Sequence, residues 1–260
     1  MAPGPRFQRP LSWEENLAET AKPLEKEIYV MRYTPYGKRE VIIIWLAAVL
    51  VGVVLLLVWP AARPWAQVTT LALGFVVSLF FRDPHRNIPN DANILLAPAD
   101  GKITDIGPAD EQEFLHEPAT RIGIFLSVLD VHINRAPCTG KVAYLQHHPG
   151  KCVNAMRWQT ASEKNEAMSM GLTCTDHPAA NVLVKQITGA IARRIVCPAQ
   201  IGQTLASGDR YGMIKFGSRT ELFLPASDDV EIAVNVGDIV RAGETILVRY
   251  TQPAGVTANI

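Results

Sequence analysis

The sequence predicts a mostly β domain of the β-rich α+β class, preceded by a pair of apolar helices. Two uncharged apolar stretches, at residues 41–59 and 65–81, predict the helices. Short β-branched segments punctuated by Gly and Pro fill most of residues 82–260 and predict the strands. Two turn-rich segments in this region, residues 97–103 and 236–244, are typical of a lipoyl- or biotinyl-like β-sandwich.

The first apolar stretch is long enough to cross a membrane. It reads VIIIWLAAVLVGVVLLLVW over residues 41–59, which is about 28 Å of helix against a hydrocarbon core of roughly 30 Å. The second stretch, at residues 65–81, is shorter and contains several polar residues. Together they predict a transmembrane helical hairpin over residues 41–81. The alternative is a pair of helices buried in a soluble core, but uncharged stretches of this length favour a membrane.

Basic residues at the ends of the hairpin indicate its orientation. Only Arg63 lies between the two stretches, whereas the other nearby basic residues precede or follow them: Arg32, Lys38, Arg39, Arg82 and Arg86. The positive-inside bias then places both ends in the cytoplasm. This predicts an inner (cell) membrane protein with a cytoplasmic N-terminal segment at residues 1–40 and a cytoplasmic β domain.

Charge and cysteine content narrow the function classes. The 25 Lys and Arg residues balance the 25 Asp and Glu residues, and this zero net charge gives no support to a nucleic-acid partner. The four cysteines form no C-x-x-C pair, which fits reduced thiols in the cytosol. The adjacent His147 and His148 have no Cys or acidic residue at metal-ligand spacing, so we predict no metal site.

Three short segments carry residues suited to chemistry. They read APADG at residues 97–101, DVHINRAP at 130–137 and KFGSR at 215–219. They supply Asp100, His132 and a Gly217-Ser218 step, and an acid, a histidine and a hydroxyl are what activation of a nucleophile requires. Spacing alone does not show that the three converge. A turn, a structural histidine and a loop are the alternative interpretation.

These segments, with two others, resemble the short form of the phosphatidylserine decarboxylase family. The resemblance covers roughly residue 80 to the C-terminus, and the Gly-Ser step lies about forty residues from that end. Any one motif alone would be weak, but their shared order is specific. The matching stretches are FRDPHRNIP (81–89), APADGK (97–102), DVHINRAP (130–137), SEKNE (162–166) and FGSRT (216–220).

The resemblance implies a self-processing proenzyme. Members of this family cut themselves between the Gly and the Ser, and the Ser becomes an N-terminal pyruvoyl group. By resemblance, the cut falls between Gly217 and Ser218, and Ser218 becomes the covalent pyruvoyl cofactor. His132 and Asp100 match the active-site histidine and its aspartate partner. Residues 82–260 would form the decarboxylase domain, divided by the cut into β and α chains, and would convert phosphatidylserine in the bilayer to phosphatidylethanolamine.

Two departures from the family pattern stand out. Many longer members carry Leu-Gly-Ser-Thr at the cut, where this chain has Phe-Gly-Ser-Arg, and some place a second histidine where this chain has Arg135. Of the residues that leave the membrane first, Arg82, His85 and Arg86 could meet the lipid phosphate or serve only as positive-inside residues. We expect self-cleavage to need only the β domain.

Two other functions stay open from the sequence. A membrane-anchored, non-enzymatic adaptor with a lipoyl-like sandwich would explain the anchor and the 236–244 turn, although not the cut-site motif. A decarboxylase of another serine lipid, such as archaetidylserine, would use the same head-group chemistry. The sequence also leaves the oligomeric state open, a homo-oligomer included.

Overall fold

The computed structural model describes residues 32–59, 63–150, 162, 164–175, 178–179, 181–189, 194–215 and 218–251. Two α-helices precede fourteen strands in these ranges, and each strand pairing is antiparallel. The helices are α1 (Lys38–Val58) and α2 (Arg63–Ser78), with 3₁₀ turns at Pro35–Gly37 and Leu79–Phe81. The strands are β1 (Ile94–Leu96), β2 (Gly101–Glu111), β3 (Glu117–Leu126), β4 (Ile133–Arg135), β5 (Gly140–His148), β6 (Ala167–Cys174), β7 (Asn181–Thr188), β8 (Arg194–Val196), β9 (Thr204–Leu205), β10 (Arg210–Lys215), β11 (Ser218–Pro225), β12 (Val230–Ile232), β13 (Ile239–Val240) and β14 (Ile246–Tyr250).

The two helices pack on each other and expose most of their apolar side chains. By length and composition α1 can cross a bilayer, whereas the apolar helix Trp65–Phe81 is shorter. The helices approach closely where small residues meet, since a Cβ added to Gly74 would lie 3.0 Å from the Cβ of Ala48. Leu57 is 76% exposed and Trp65 72% exposed. Helices buried in a soluble core would not leave such side chains in contact with solvent.

The β domain contains one large sheet and two small ones, which confirms the prediction of a mostly β fold. The large sheet has the strand order β13-β2-β3-β11-β7-β6-β5-β9. The small sheets have the orders β1-β14-β12 and β4-β10-β8. The main core holds buried apolar residues of the large sheet, such as Ile124 and Leu222, together with Leu95 and Leu247 of the β1-β14-β12 sheet. Burial of these side chains holds the sheets together.

The two turn-rich segments noted in the sequence pair with each other. Val240 of β13 lies opposite Gly101 of β2. Beyond this pair, the amide of Gly243 donates to the carbonyl of Ala97 at 2.9 Å. The pairing fixes the start of β2, and with it Asp100, at one edge of the large sheet.

The helical hairpin makes specific contacts with the β domain. Glu40 of α1 forms an ion pair with the buried Lys215 at the end of β10. Phe80 and Phe81, at the end of the hairpin, pack with Met213 of β10 in a second apolar cluster. The strand that leads towards the predicted cut is therefore held directly by the hairpin.

Candidate active site

The segments that carry Asp100, His132 and Ser218 meet at one edge of the large sheet. Ser218 begins β11, where it lies opposite Leu126, the last residue of β3, and Thr188, the last residue of β7. Asp100 immediately precedes β2, which neighbours β3 on its other side. His132 lies in the connection from β3 to β4. The fold thus brings the three segments to one edge of the large sheet, and the joint catalytic role of their residues stays a prediction.

Ser218 presents a buried hydroxyl. The residue has no exposed surface, and its Oγ has no hydrogen-bond partner within the described part of the chain. Leaving a buried polar group unpaired costs about 1–3 kcal/mol, so native proteins rarely do so without a functional reason. Gly217, on the other side of the predicted cut, lies outside the described residues.

His132 is oriented as a proton acceptor. Its ring is fully buried against Phe80, with the ring centroids 4.3 Å apart. Nδ1 lies 2.9 Å from the backbone carbonyl oxygen of Asp130. Because a carbonyl only accepts, Nδ1 carries the hydrogen and Nε2 carries the lone pair. Burial lowers the pKa of His132 to about 4, against a smaller opposing effect of Asp130, so the imidazole is neutral at pH 7.

The backbone of His132 is fixed beside the strand that leads to Ser218. Its carbonyl accepts a hydrogen bond from the amide of Ile214 at 3.2 Å. Ile214 lies in β10, four residues before Ser218 in the chain. The backbone of His132 is therefore held by β10, the strand that precedes Ser218 in the chain.

Asp100 is engaged by an arginine and a backbone amide. Its two carboxylate oxygens lie 2.7 and 3.0 Å from Nη2 of Arg86, and the amide of Ala242 donates to it at 2.8 Å. Arg86 also donates to Glu244 at 3.2 Å. Burial raises the pKa of the Asp100 carboxyl, and Arg86 opposes that shift. Since Arg86 is itself buried and paired, it does not offer its charge to a lipid phosphate.

The pairing of Asp100 with His132 stays a prediction. The Asp100 carboxylate accepts hydrogen bonds from Arg86 and from a backbone amide, and Nδ1 of His132 lies against the Asp130 carbonyl. A buried guanidinium requires a counter-ion, and this requirement holds Asp100 beside Arg86.

Asp100→Asn should lower the stability of the protein as well as slow its self-cleavage. Removing the charge leaves Arg86 buried with Glu244 alone, and breaking a buried pair in this way typically destabilises by about 3–5 kcal/mol. We expect a lower unfolding temperature, measured on an uncut background, together with slower self-cleavage. Asp91→Asn is the control, because exposed Asp91 accepts from the Asn93 amide at 2.8 Å and asparagine can do the same. An Asp100→Asn protein of normal stability that fails to cut would instead show a direct catalytic role for Asp100.

A buried polar network supports the face of β11 that carries Ser218. Thr220 lies two residues further along and so on the same face. Its hydroxyl accepts from Asn134 Nδ2 at 3.0 Å, and Gln186 Nε2 donates to Asn134 Oδ1 at 2.8 Å. Sequence reasoning gave no role to this network. The only sign of it was that Asn134 lies within the 130–137 motif.

The SEKNE motif also supports the site. Asn165 is buried and donates from Nδ2 to the carbonyl of Thr188 at 2.6 Å, and Thr188 is the residue opposite Ser218. Ser162 donates to the buried Glu221 of β11 at 2.6 Å. The motif was noted in the sequence only as part of the resemblance, and the structure gives it a physical role in holding the strands around Ser218.

The two arginines at the departures from the family pattern have structural partners. Arg135 donates to the buried Asp83 at 3.0 Å. Arg219 is fully buried and donates to Asp105 at 2.5 Å and to Glu221 at 2.7 Å. Each guanidinium therefore balances a buried carboxylate, Asp83 for Arg135 and Glu221 for Arg219. Neither contact provides a general acid or base for chemistry at Ser218.

Comparisons with known proteins give a consistent result. Residues 73–248 match the family described as phosphatidylserine decarboxylase. The chain is 41% identical over 217 residues to a phosphatidylserine decarboxylase proenzyme of Rhodopirellula baltica, covering 83% of this chain and 87% of that protein. It is 44% identical over 194 residues to the proenzyme of Gluconacetobacter diazotrophicus (74% and 84% covered) and 46% identical over 177 residues to that of Desulfotalea psychrophila (68% and 80%).

Proposed function

Because the chain belongs to the phosphatidylserine decarboxylase family, it acts as a phosphatidylserine decarboxylase, and we propose that Ser218 becomes the pyruvoyl group on which the reaction depends. The observation that carries this proposal is the buried Ser218 hydroxyl, which lacks a hydrogen-bond partner in the described residues. A ketone has no hydrogen to donate, so conversion of the hydroxyl to a pyruvoyl ketone removes an unpaired donor. The product is phosphatidylethanolamine.

Self-cleavage forms this group from the chain itself. His132 takes the hydroxyl proton of Ser218 through Nε2 as the oxygen attacks the carbonyl carbon of Gly217. The C–N bond breaks, the proton passes to the departing amine, and an ester replaces the amide. Loss of the Ser218 Cα proton expels the Gly217 carboxylate and leaves dehydroalanine. This elimination separates residues 1–217 from residues 218–260. Water then hydrolyses the imine tautomer of the dehydroalanine to the ketone and releases ammonia.

The residues around Ser218 fit a pyruvoyl group. The group supplies a ketone that reacts with an amine and accepts the electron pair when carbon dioxide leaves. We assign to His132 the delivery of a proton to the substrate carbon that has lost carbon dioxide. Its burial fits this role, since a site that excludes water limits unwanted proton exchange. Asp100 and Arg86 would fix the edge of the sheet around these groups.

We place the reaction at the cytoplasmic face of the inner membrane. In this proposal residues 41–81 form the anchor, residues 1–40 the cytoplasmic segment and residues 82–260 the decarboxylase domain. The exposed apolar surface of α1 supports the anchor, and the basic residues flanking the hairpin support the orientation. A diacyl lipid does not readily leave a bilayer, because each buried CH₂ contributes about 0.8 kcal/mol, so an anchored enzyme meets its substrate in place.

The pairing of residues 97–103 with residues 236–244 supports a lipoyl- or biotinyl-like sandwich within the β domain. A non-enzymatic adaptor would share that architecture. It would not require an unpaired hydroxyl at Ser218 or a neutral buried imidazole at His132. These two groups favour the enzyme over the adaptor.

A carbonyl reagent tests the proposed cofactor. The purified protein should convert phosphatidylserine in vesicles to phosphatidylethanolamine, and hydroxylamine should abolish this activity by condensing with the pyruvoyl ketone. The accompanying mass increase should be confined to the chain of residues 218–260. Full activity in saturating hydroxylamine, or an adduct elsewhere in the protein, would count against a pyruvoyl group at Ser218.

A further inference from the structure

Two apolar side chains are exposed on the loop at residues 127–130, which follows β3. Leu129 is 83% exposed and Val128 is 46% exposed. The loop begins next to Leu126, the residue opposite Ser218, so it lies at the active-site edge of the large sheet. A single exposed leucine is ordinary on a protein surface, and only its position gives it meaning.

The loop is tied to the end of the membrane hairpin. Arg82 follows the 3₁₀ turn Leu79–Phe81 directly. Its guanidinium donates from Nη1 to the carbonyl of Leu79 at 3.1 Å and from Nη2 to the carbonyl of Leu129 at 2.6 Å. One side chain thus connects the last turn of the hairpin with the tip of the 127–130 loop. Where the apolar helices reach the membrane surface, the loop tip reaches it too.

The base of the same loop is part of the catalytic site. The Asp130 carboxylate accepts from the amide of Ser127 at 2.7 Å, and the amide of Asp130 donates to the carbonyl of Ser127 at 3.0 Å. These two bonds close a tight turn with Val128 and Leu129 at its tip. The Asp130 carbonyl, at the base of the turn, orients His132. The loop therefore extends from the imidazole to the surface where the hairpin leaves the membrane.

We propose that Val128 and Leu129 insert among the lipid headgroups and that phosphatidylserine reaches Ser218 along this loop. The inference rests on the proposed function, because it names the route taken by that substrate. The lipid must keep its acyl chains in the bilayer while its serine headgroup reaches a buried residue. An apolar loop tip at the membrane surface makes both possible, because its side chains replace water next to the acyl chains while the serine headgroup enters the site.

The test compares two substrates on the full-length, processed enzyme. One is phosphatidylserine in anionic vesicles, and the other is a short-chain phosphatidylserine dissolved as monomers. For Leu129→Ser we expect the ratio of the vesicle rate to the monomer rate to fall about tenfold, in line with the partitioning of a leucine side chain into an apolar phase. Leu129→Met should preserve the ratio. Val128→Ser is a second variant that should lower it.

Ile201→Ser is the matched control. Ile201 is 67% exposed in a turn before β9, at the opposite end of the large sheet from β2 and β3, and its replacement should leave the ratio unchanged. Equal ratios for Leu129→Ser, Val128→Ser and the control would overturn the proposal. A lower rate on both substrates together with a change in oligomer size would also overturn the proposal, because the loop would then contact a second copy of the chain. A wild-type enzyme that decarboxylates neither substrate would instead overturn the proposed function.

Discussion

Ser218→Ala is expected to leave a single, uncut chain of 260 residues with no detectable decarboxylase activity. Alanine has no oxygen to attack the Gly217 carbonyl, so neither the ester nor the pyruvoyl group can form. The fold should survive, because the Ser218 Oγ makes no hydrogen bond within the described residues. Denaturing gels report the processing, and carbon dioxide release from phosphatidylserine reports the activity.

Two further variants sharpen this result. Ser218→Cys should still cut, because a thiol can attack the same carbonyl and be eliminated in the same way. Ser207→Ala removes a partly exposed hydroxyl in the turn between β9 and β10 and should process like the wild type. A Ser218→Ala protein that still separates into two chains would show that another residue is the nucleophile.

His132→Ala is expected to slow self-cleavage by about 10²–10⁴-fold, the usual contribution of a general base. The buried imidazole is neutral near pH 7, and its Nδ1 donates to the Asp130 carbonyl, so Nε2 carries the lone pair that accepts a proton. The rate of appearance of the chain of residues 218–260 after synthesis measures the effect. The decarboxylase activity of the molecules that have cut themselves should also be lower than that of the wild type.

Loss of packing must be separated from loss of chemistry at this position. His132 lies against Phe80, so alanine also opens a cavity beside the anchor. His132→Gln fills more of that space without supplying a base, and it should be as slow to cut as His132→Ala. His116→Asn is the control, because His116 is exposed with a φ of 57°, a conformation that asparagine tolerates. Rapid cutting by His132→Gln would remove His132 from the mechanism.

The broad fold was predictable because its signals are local. An uncharged apolar stretch at residues 41–59 predicted what the structure shows as α1 (Lys38–Val58), and the second stretch corresponds to α2 with its 3₁₀ turn. The bounds differ by a few residues because helical hydrogen bonding extends into charged neighbours such as Lys38 and Glu40. Alternating β-branched segments likewise predicted the strands, although not their order in the sheets.

The details of the site were not predictable, because they depend on residues far apart in the sequence and on backbone groups, which every residue carries. The backbone carbonyl that lies against Nδ1 of His132 has no signature in a sequence. The sequence suggested Arg86 as a residue that could meet the lipid phosphate or flank the membrane, and not as an ion-pair partner of Asp100. The expectation that self-cleavage needs only the β domain stays a prediction, and the contacts that a deletion of the anchor would remove are those of Phe80 with His132 and of Glu40 with Lys215.

The intact masses of the purified wild-type chains test whether the protein cuts itself at Ser218. We expect two chains, residues 1–217 and residues 218–260, and the second should be lighter than the encoded peptide by one ammonia because its N-terminal serine has become pyruvoyl. Edman degradation of that chain should be blocked. An active enzyme that remains one chain of 260 residues, or a second chain that begins with an unmodified serine, would contradict self-processing to a pyruvoyl group.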